Sequence, residues 1–148
     1  MLRRICSERS QSLVEFSLVI PILMLLALGI VDFAMGFKSY VELTNATREG
    51  ARYAVVGNPA GAYPTDCTGD DLGNVVSRVC KSADLAVADM KNVSVDYPSG
   101  HTSGNSVVVS ADYRYNLITP LSRIMTLVSG GSFPGYFDLS SSSDMRLE

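Results

Sequence analysis

A chain of 148 residues that is 47% hydrophobic, with positive mean hydropathy and a formal charge of −3, has apolar surface enough for one small domain and a membrane segment. Arg3, Arg4 and Arg9 against Glu8 give residues 1–10 a net +2 and leave −5 on the rest, a basic head on an acidic body. Nucleic acid is thereby excluded as a partner, because phosphate binding takes clustered Lys and Arg, and with His101 the sole histidine neither a metal set nor a catalytic triad can be assembled, so no catalytic residue, metal or cofactor is expected.

Residues 1–10 read as a cytoplasmic leader and 11–36 as the transmembrane part of a long helix. From Leu13 to Phe37 the only charges are Glu15 and Asp32, and from Phe16 to Val31 there is none. A bilayer core about 30 Å thick takes about 20 helical residues, and the preceding arginines hold the N-terminus inside. Pro21 and Gly29 are tolerable in such a helix. A cleaved secretory signal ending near Ala34 or Gly36 fits less well, since no small-x-small site follows and the helical pattern continues. Glu15 therefore needs a partner, because an ionisable group in a spanning segment costs about 2.5–3.5 kcal/mol. Asp32, near the outer boundary, reads as interfacial.

The helix is predicted to outlast the bilayer through 37–57. Lys38, Glu42, Asn45, Glu49 and Arg52 form a polar stripe, and Leu43, Ala46, Gly50, Tyr53 and Ala54 mark the opposite face. From Gln11 to Val56 it would measure roughly 70 Å, ending at the breakers Gly57, Pro59, Gly61 and Pro64. Arg48, Glu49 and Arg52 read as solvated with pairing inside the helix, Gly50 and Tyr53 as core contacts.

Residues 58–148 are predicted as an extracytoplasmic α+β domain. Asp70 or Asp71 can cap a second helix with apolar positions Leu72, Val75, Val76, Val79, Cys80 and Ala83. Cys67 and Cys80 lie beyond the membrane and are a disulfide candidate closing a loop of roughly 14 residues, worth about 3 kcal/mol in the chain-entropy model; two free thiols are the alternative. The period then switches to two: Val93, Val95 and Tyr97, a turn from Pro98 to Asn105, then Val107, Val109, Ala111, Tyr113, Tyr115 and Leu117, a hairpin with one dry face. Thr119-Pro120 opens a short amphipathic helix over Leu121, Ile124, Met125 and Val128 that ends at Gly130. Phe137, Leu139, Ser141, Ser143, Met145 and Leu147 alternate as a third antiparallel strand. The small apolar side of the long helix is the natural cover for this sheet, a type IV pilin-like plan.

Gln11-Ser12-Leu13-Val14-Glu15-Phe16 before the apolar run, Gly29-Ile30-Val31-Asp32-Phe33 near its end, Arg48-Glu49-Gly50-Ala51-Arg52-Tyr53-Ala54 beyond it and a final Met145-Arg146-Leu147-Glu148 resemble the TadE-like minor pilins, or pseudopilins, of tight-adherence (Flp) pili. The resemblance implies a bacterial inner-membrane protein cut by a prepilin peptidase between Ser10 and Gln11, although Ser10 is not the glycine usual before such a cut. It implies Glu15, with Phe16 beside it, as the subunit-assembly position and, as partners, other pilins and the pilus assembly platform. Glu15, fifth in the mature chain, could then meet the Gln11 ammonium of a neighbouring subunit. The alternative is an uncleaved, signal-anchored sensor or binding protein.

Overall fold

The computed structural model describes residues 2–56, 67 and 74–147, with side chains from residue 11 onward. Its elements are α1 (Leu2–Val56), α2 (Val75–Ser82), a 3-10 turn at Val87–Asp89, β1 (Met90–Asp96), β2 (Ser106–Asn116), α3 (Leu121–Val128) and β3 (Tyr136–Arg146). They divide into two compact units, one of Met1–Ala34 with Leu117–Gly135, the other of Met35–Asn116 with Tyr136–Glu148. The architecture is α+β, with the distal part of α1 packed on a three-stranded antiparallel sheet. The breakers after Val56, and Asp70, Asp71 and Leu72, lie outside the described residues.

The sheet of the second unit is a meander, β1-β2-β3, with both pairs antiparallel. Strict alternation in β2 puts Val107, Val109, Ala111, Tyr113 and Tyr115 on the dry face, all buried, because successive side chains of a strand point to opposite faces. β1 breaks that rule once. Met90 pairs with Tyr113 and Asn92 with Asp112, so an extra residue bulges at Lys91, and Met90 joins Val93 in the core although the two are three apart. Burial raises the pKa of the Tyr113 phenol above its ordinary value, helped by the charges of Asp89 and Glu42, so the ring keeps its proton well into alkaline solution. On the outer face Arg114 pairs with Asp138 across the β2–β3 ladder at 3.1 Å and lies 4.0 Å over the Tyr136 ring.

The cover is made of small residues. Leu43, Ala46, Thr47, Gly50, Ala51 and Ala54 of α1 are buried in a stripe at steps of three and four. Thr44 and Thr47 meet the Ser141 hydroxyl of β3 at 3.3 Å each, and the Tyr115 ring lies 3.4 Å from where a β-carbon on Gly36 would stand. Tyr53, expected in this face, points outward and is 36% exposed, while Thr47 and Ala51 complete the stripe. α2 joins the same core through Val75, Val76 and Val79. Its start is later than expected, because Asn74 supplies the cap: Oδ1 accepts the amides of Val76 at 2.7 Å and Ser77 at 3.4 Å. A disulfide joins Cys67 to Cys80, with α-carbons 5.7 Å apart.

Gly50 sets how closely α2 can approach α1. A β-carbon there would stand 2.3 Å from Val79 Cγ2 and 3.4 Å from Val109 Cγ1, and a β-branched neighbour in a packed core cannot swing aside. Gly50→Ala is expected to lower the unfolding free energy by about 1–2 kcal/mol, because overpacking of about 1–3 kcal/mol outweighs the helix-propensity gain of up to about 1 kcal/mol. Urea unfolding of the detergent-solubilised chain checks it; an Ala variant as stable as the parent would mean that α2 sits farther from α1.

In the first unit α1 begins at Leu2 rather than Gln11. Residues 2–10 hold neither glycine nor proline, so nothing in them breaks the helix. Gln11 to Ala27 are exposed throughout, and only 6% of the most apolar 18-residue window is buried. A helix with large side chains open on every side matches an apolar surround, so its length and composition fit a membrane span. Ser17 donates to the Leu13 carbonyl at 2.7 Å, four residues ahead of Pro21, satisfying its own hydroxyl within the apolar run.

Candidate functional site

The helix carries two carboxylates at its two apolar boundaries, and the structure treats them oppositely. Glu15 is exposed, as are its neighbours Leu13, Val14 and Phe16, and among the described residues it has no hydrogen-bond or ion-pair partner. One helical turn separates it from Gln11, which is also exposed. The bond between Ser10 and Gln11 lies inside continuous helix.

Asp32 is the reverse. Rather than being solvated at an interface, it is 6% exposed and its carboxylate is fully engaged. Oδ1 accepts the backbone amides of Ile118 at 3.1 Å and Thr119 at 3.2 Å, and Oδ2 accepts the Thr119 hydroxyl. That hydroxyl oxygen in turn accepts the Leu121 amide at 3.3 Å, so Thr119 both holds Asp32 and opens α3. The helix begins one residue later than expected, with Pro120 at the cap position. A carboxylate held by three donors tolerates burial, because each charged hydrogen bond offsets part of the desolvation cost. Chemically the arrangement is a latch, tying residues 117–135 to the end of the apolar run.

Farther along, Arg48, Glu49 and Arg52 make no ion pair with one another among the described residues, against the expectation of pairing inside the helix. Glu49 binds Arg78 of α2 at 2.9 Å, joining α2 to α1 beside Gly50, while Arg48 and Arg52 are exposed. The i,i+4 pair is Lys38–Glu42, at 3.2 Å. Both ion pairs are exposed enough to be weak, so they orient rather than hold. In the turn, His101 packs against Tyr97 with ring centroids 3.9 Å apart and ring planes tilted by 41°, and Asn105 ties the same turn by donating to Ser99 O and Thr102 Oγ1.

The sequence could have signalled the latch. Asp32 is the single ionisable residue between Phe16 and Phe37, and such a residue asks for a named partner as much as Glu15 does. Ring periodicity identifies faces, whereas Thr119 is reached only through the tertiary fold.

No curated protein and no solved structure matches the chain. A family model described as TadE-like protein matches residues 11–52, from the residue after the expected cut to the end of the Arg48–Arg52 stripe. Over that segment, which carries Glu15, the exposed apolar run, the latched Asp32 and most of the small-residue cover of the sheet, the chain is similar to TadE-like proteins.

Proposed function

We propose that this chain is a minor pilin, of pseudopilin type, that helps to assemble the tight-adherence pilus. It crosses the bacterial inner membrane once, with the basic leader in the cytoplasm and the α+β domain outside. A prepilin peptidase removes residues 1–10, and Glu15 then pairs with the Gln11 ammonium of a neighbouring subunit. The observation that carries this reading is an exposed apolar helix whose Glu15, one turn past Gln11, has no partner among the described residues, in a family match that itself starts at Gln11.

Physical chemistry supports each step. The run from Phe16 to Val31 makes the helix stable in lipid, and the three leader arginines favour the orientation with the N-terminus inside. Outside the membrane the Cys67–Cys80 disulfide is in an oxidising setting, where such a closure contributes about 3 kcal/mol. Two opposite charges about 4 Å apart attract by about 4 kcal/mol at an effective dielectric of 20, enough to fix the stagger between helices. Expressed with the other pilins of its system and extracted in mild detergent, the chain is expected to co-purify with them and with the assembly platform. A chain that is recovered alone, while those components still associate with each other, would overturn the assignment in favour of an uncleaved anchor for a sensing or binding domain.

A further inference from the structure

Among the elements of the first unit, α3 is built inside out. Its polar side faces its own loop: Thr126 Oγ1 donates to Ser122 O at 2.7 Å and lies 3.3 Å from Phe133 O, and Ser129 Oγ accepts the Phe133 amide at 3.1 Å. Its apolar side faces away, with no residue buried. Leu127 and Val128 are each 83% exposed, and Ile124 and Met125 are exposed beside them. At 3.6 residues per turn, Leu121, Ile124, Met125, Leu127 and Val128 share one arc of about 160°. Ile118, also exposed, carries the apolar surface back to the latch.

The latch says what covers that arc. Asp32 follows directly on the charge-free run ending at Val31, and its bonds to Ile118 and Thr119 hold the start of α3 at the level where the run ends. α3 therefore starts at that level, where interfacial helices sink an apolar face about 5–10 Å into the headgroup boundary, and its eight residues span only about 12 Å. Arg123, exposed on the polar arc, has a guanidinium suited to lipid phosphate. The apolar surface of α3 is thus continuous in depth with the exposed apolar surface of α1.

We propose that α3 is an interfacial helix whose Ile124, Met125, Leu127 and Val128 face inserts into the membrane leaflet at the Asp32 end of α1, so that the subunit grips the bilayer at two places. This rests on α1 spanning the membrane, which the test reads separately. The full chain with Cys6→Ser carries a fluorophore at Leu127→Cys, at Ile22→Cys or at Ser103→Cys, in vesicles of phosphatidylethanolamine and phosphatidylglycerol at a high and a low protein-to-lipid ratio. Leu127 is exposed enough for the change to leave the fold intact. The Leu127 label is expected to be quenched by nitroxide high on the acyl chain, and severalfold less by a water-soluble quencher than the Ser103 label, at both ratios. Quenching from water equal to that at Ser103 would overturn the proposal. Shielding that appears only at the high ratio would also overturn it, assigning the face to another protein subunit. If the Ile22 label is not quenched by nitroxide deep in the bilayer, the spanning of α1 fails, and the proposal fails with it.

Discussion

Asp32→Ala is expected to unlatch residues 117–135 while leaving the sheet and its small-residue cover folded. The substitution removes the acceptor of three donors, the Ile118 and Thr119 amides and the Thr119 hydroxyl. An unsatisfied buried donor costs about 1–3 kcal/mol, so the local loss over three donors is at least about 3 kcal/mol, of the order of the whole stability of a marginal subdomain. Hydrogen exchange at the Ile118 and Thr119 amides should then quicken at least about a hundredfold, since each 1.4 kcal/mol is a factor of ten. Asp32→Asn keeps an amide oxygen for the two backbone donors and lets the Thr119 hydroxyl accept, so it should lose far less. Exchange in Asp32→Ala as slow as in the parent would show that the segment is held by other contacts.

Glu15→Ala should abolish recruitment into the assembly without preventing membrane insertion. Removing a charge from the start of the span relieves part of the about 2.5–3.5 kcal/mol that a charge costs at the centre of a span, so the helix inserts at least as well. Under the proposed pairing it also strands the ammonium of the neighbouring subunit, which for a buried pair costs about 3–5 kcal/mol, a hundredfold or more in association. Glu15→Gln, which keeps the shape and loses the charge, should behave like Glu15→Ala. Membrane fractionation reads insertion, and co-purification with the other subunits reads assembly. Wild-type recruitment of Glu15→Ala would mean that the stagger is set elsewhere on the helix.

How much of this was legible follows from the range of each interaction. The inward residues of β2, from Val107 to Tyr115, are given by a period of two, because which face a strand residue takes depends only on its neighbours. The same holds for Leu43, Ala46 and Gly50 on the helix. Met90 escaped because the bulge at Lys91 resets the period within one strand. Asn74 escaped because the acidic pair before it offered an equally plausible cap, and only the fold selects among them. The burial of Asp32 departs from its interfacial expectation for a deeper reason. Its partners lie 86 and 87 residues away, and no local pattern carries that contact. Glu15 stood out from the sequence for the opposite reason: a charge beside an apolar run is a local anomaly.

Whether Glu15 acts beside a newly made N-terminus is read from the intact mass of the chain extracted from membranes, with and without a prepilin peptidase. A chain beginning at Gln11 is expected when the peptidase is present and at Met1 when it is not, with the shorter form alone entering the assembly. A full-length chain beginning at Met1 and recruited normally in the presence of the peptidase would contradict that expectation.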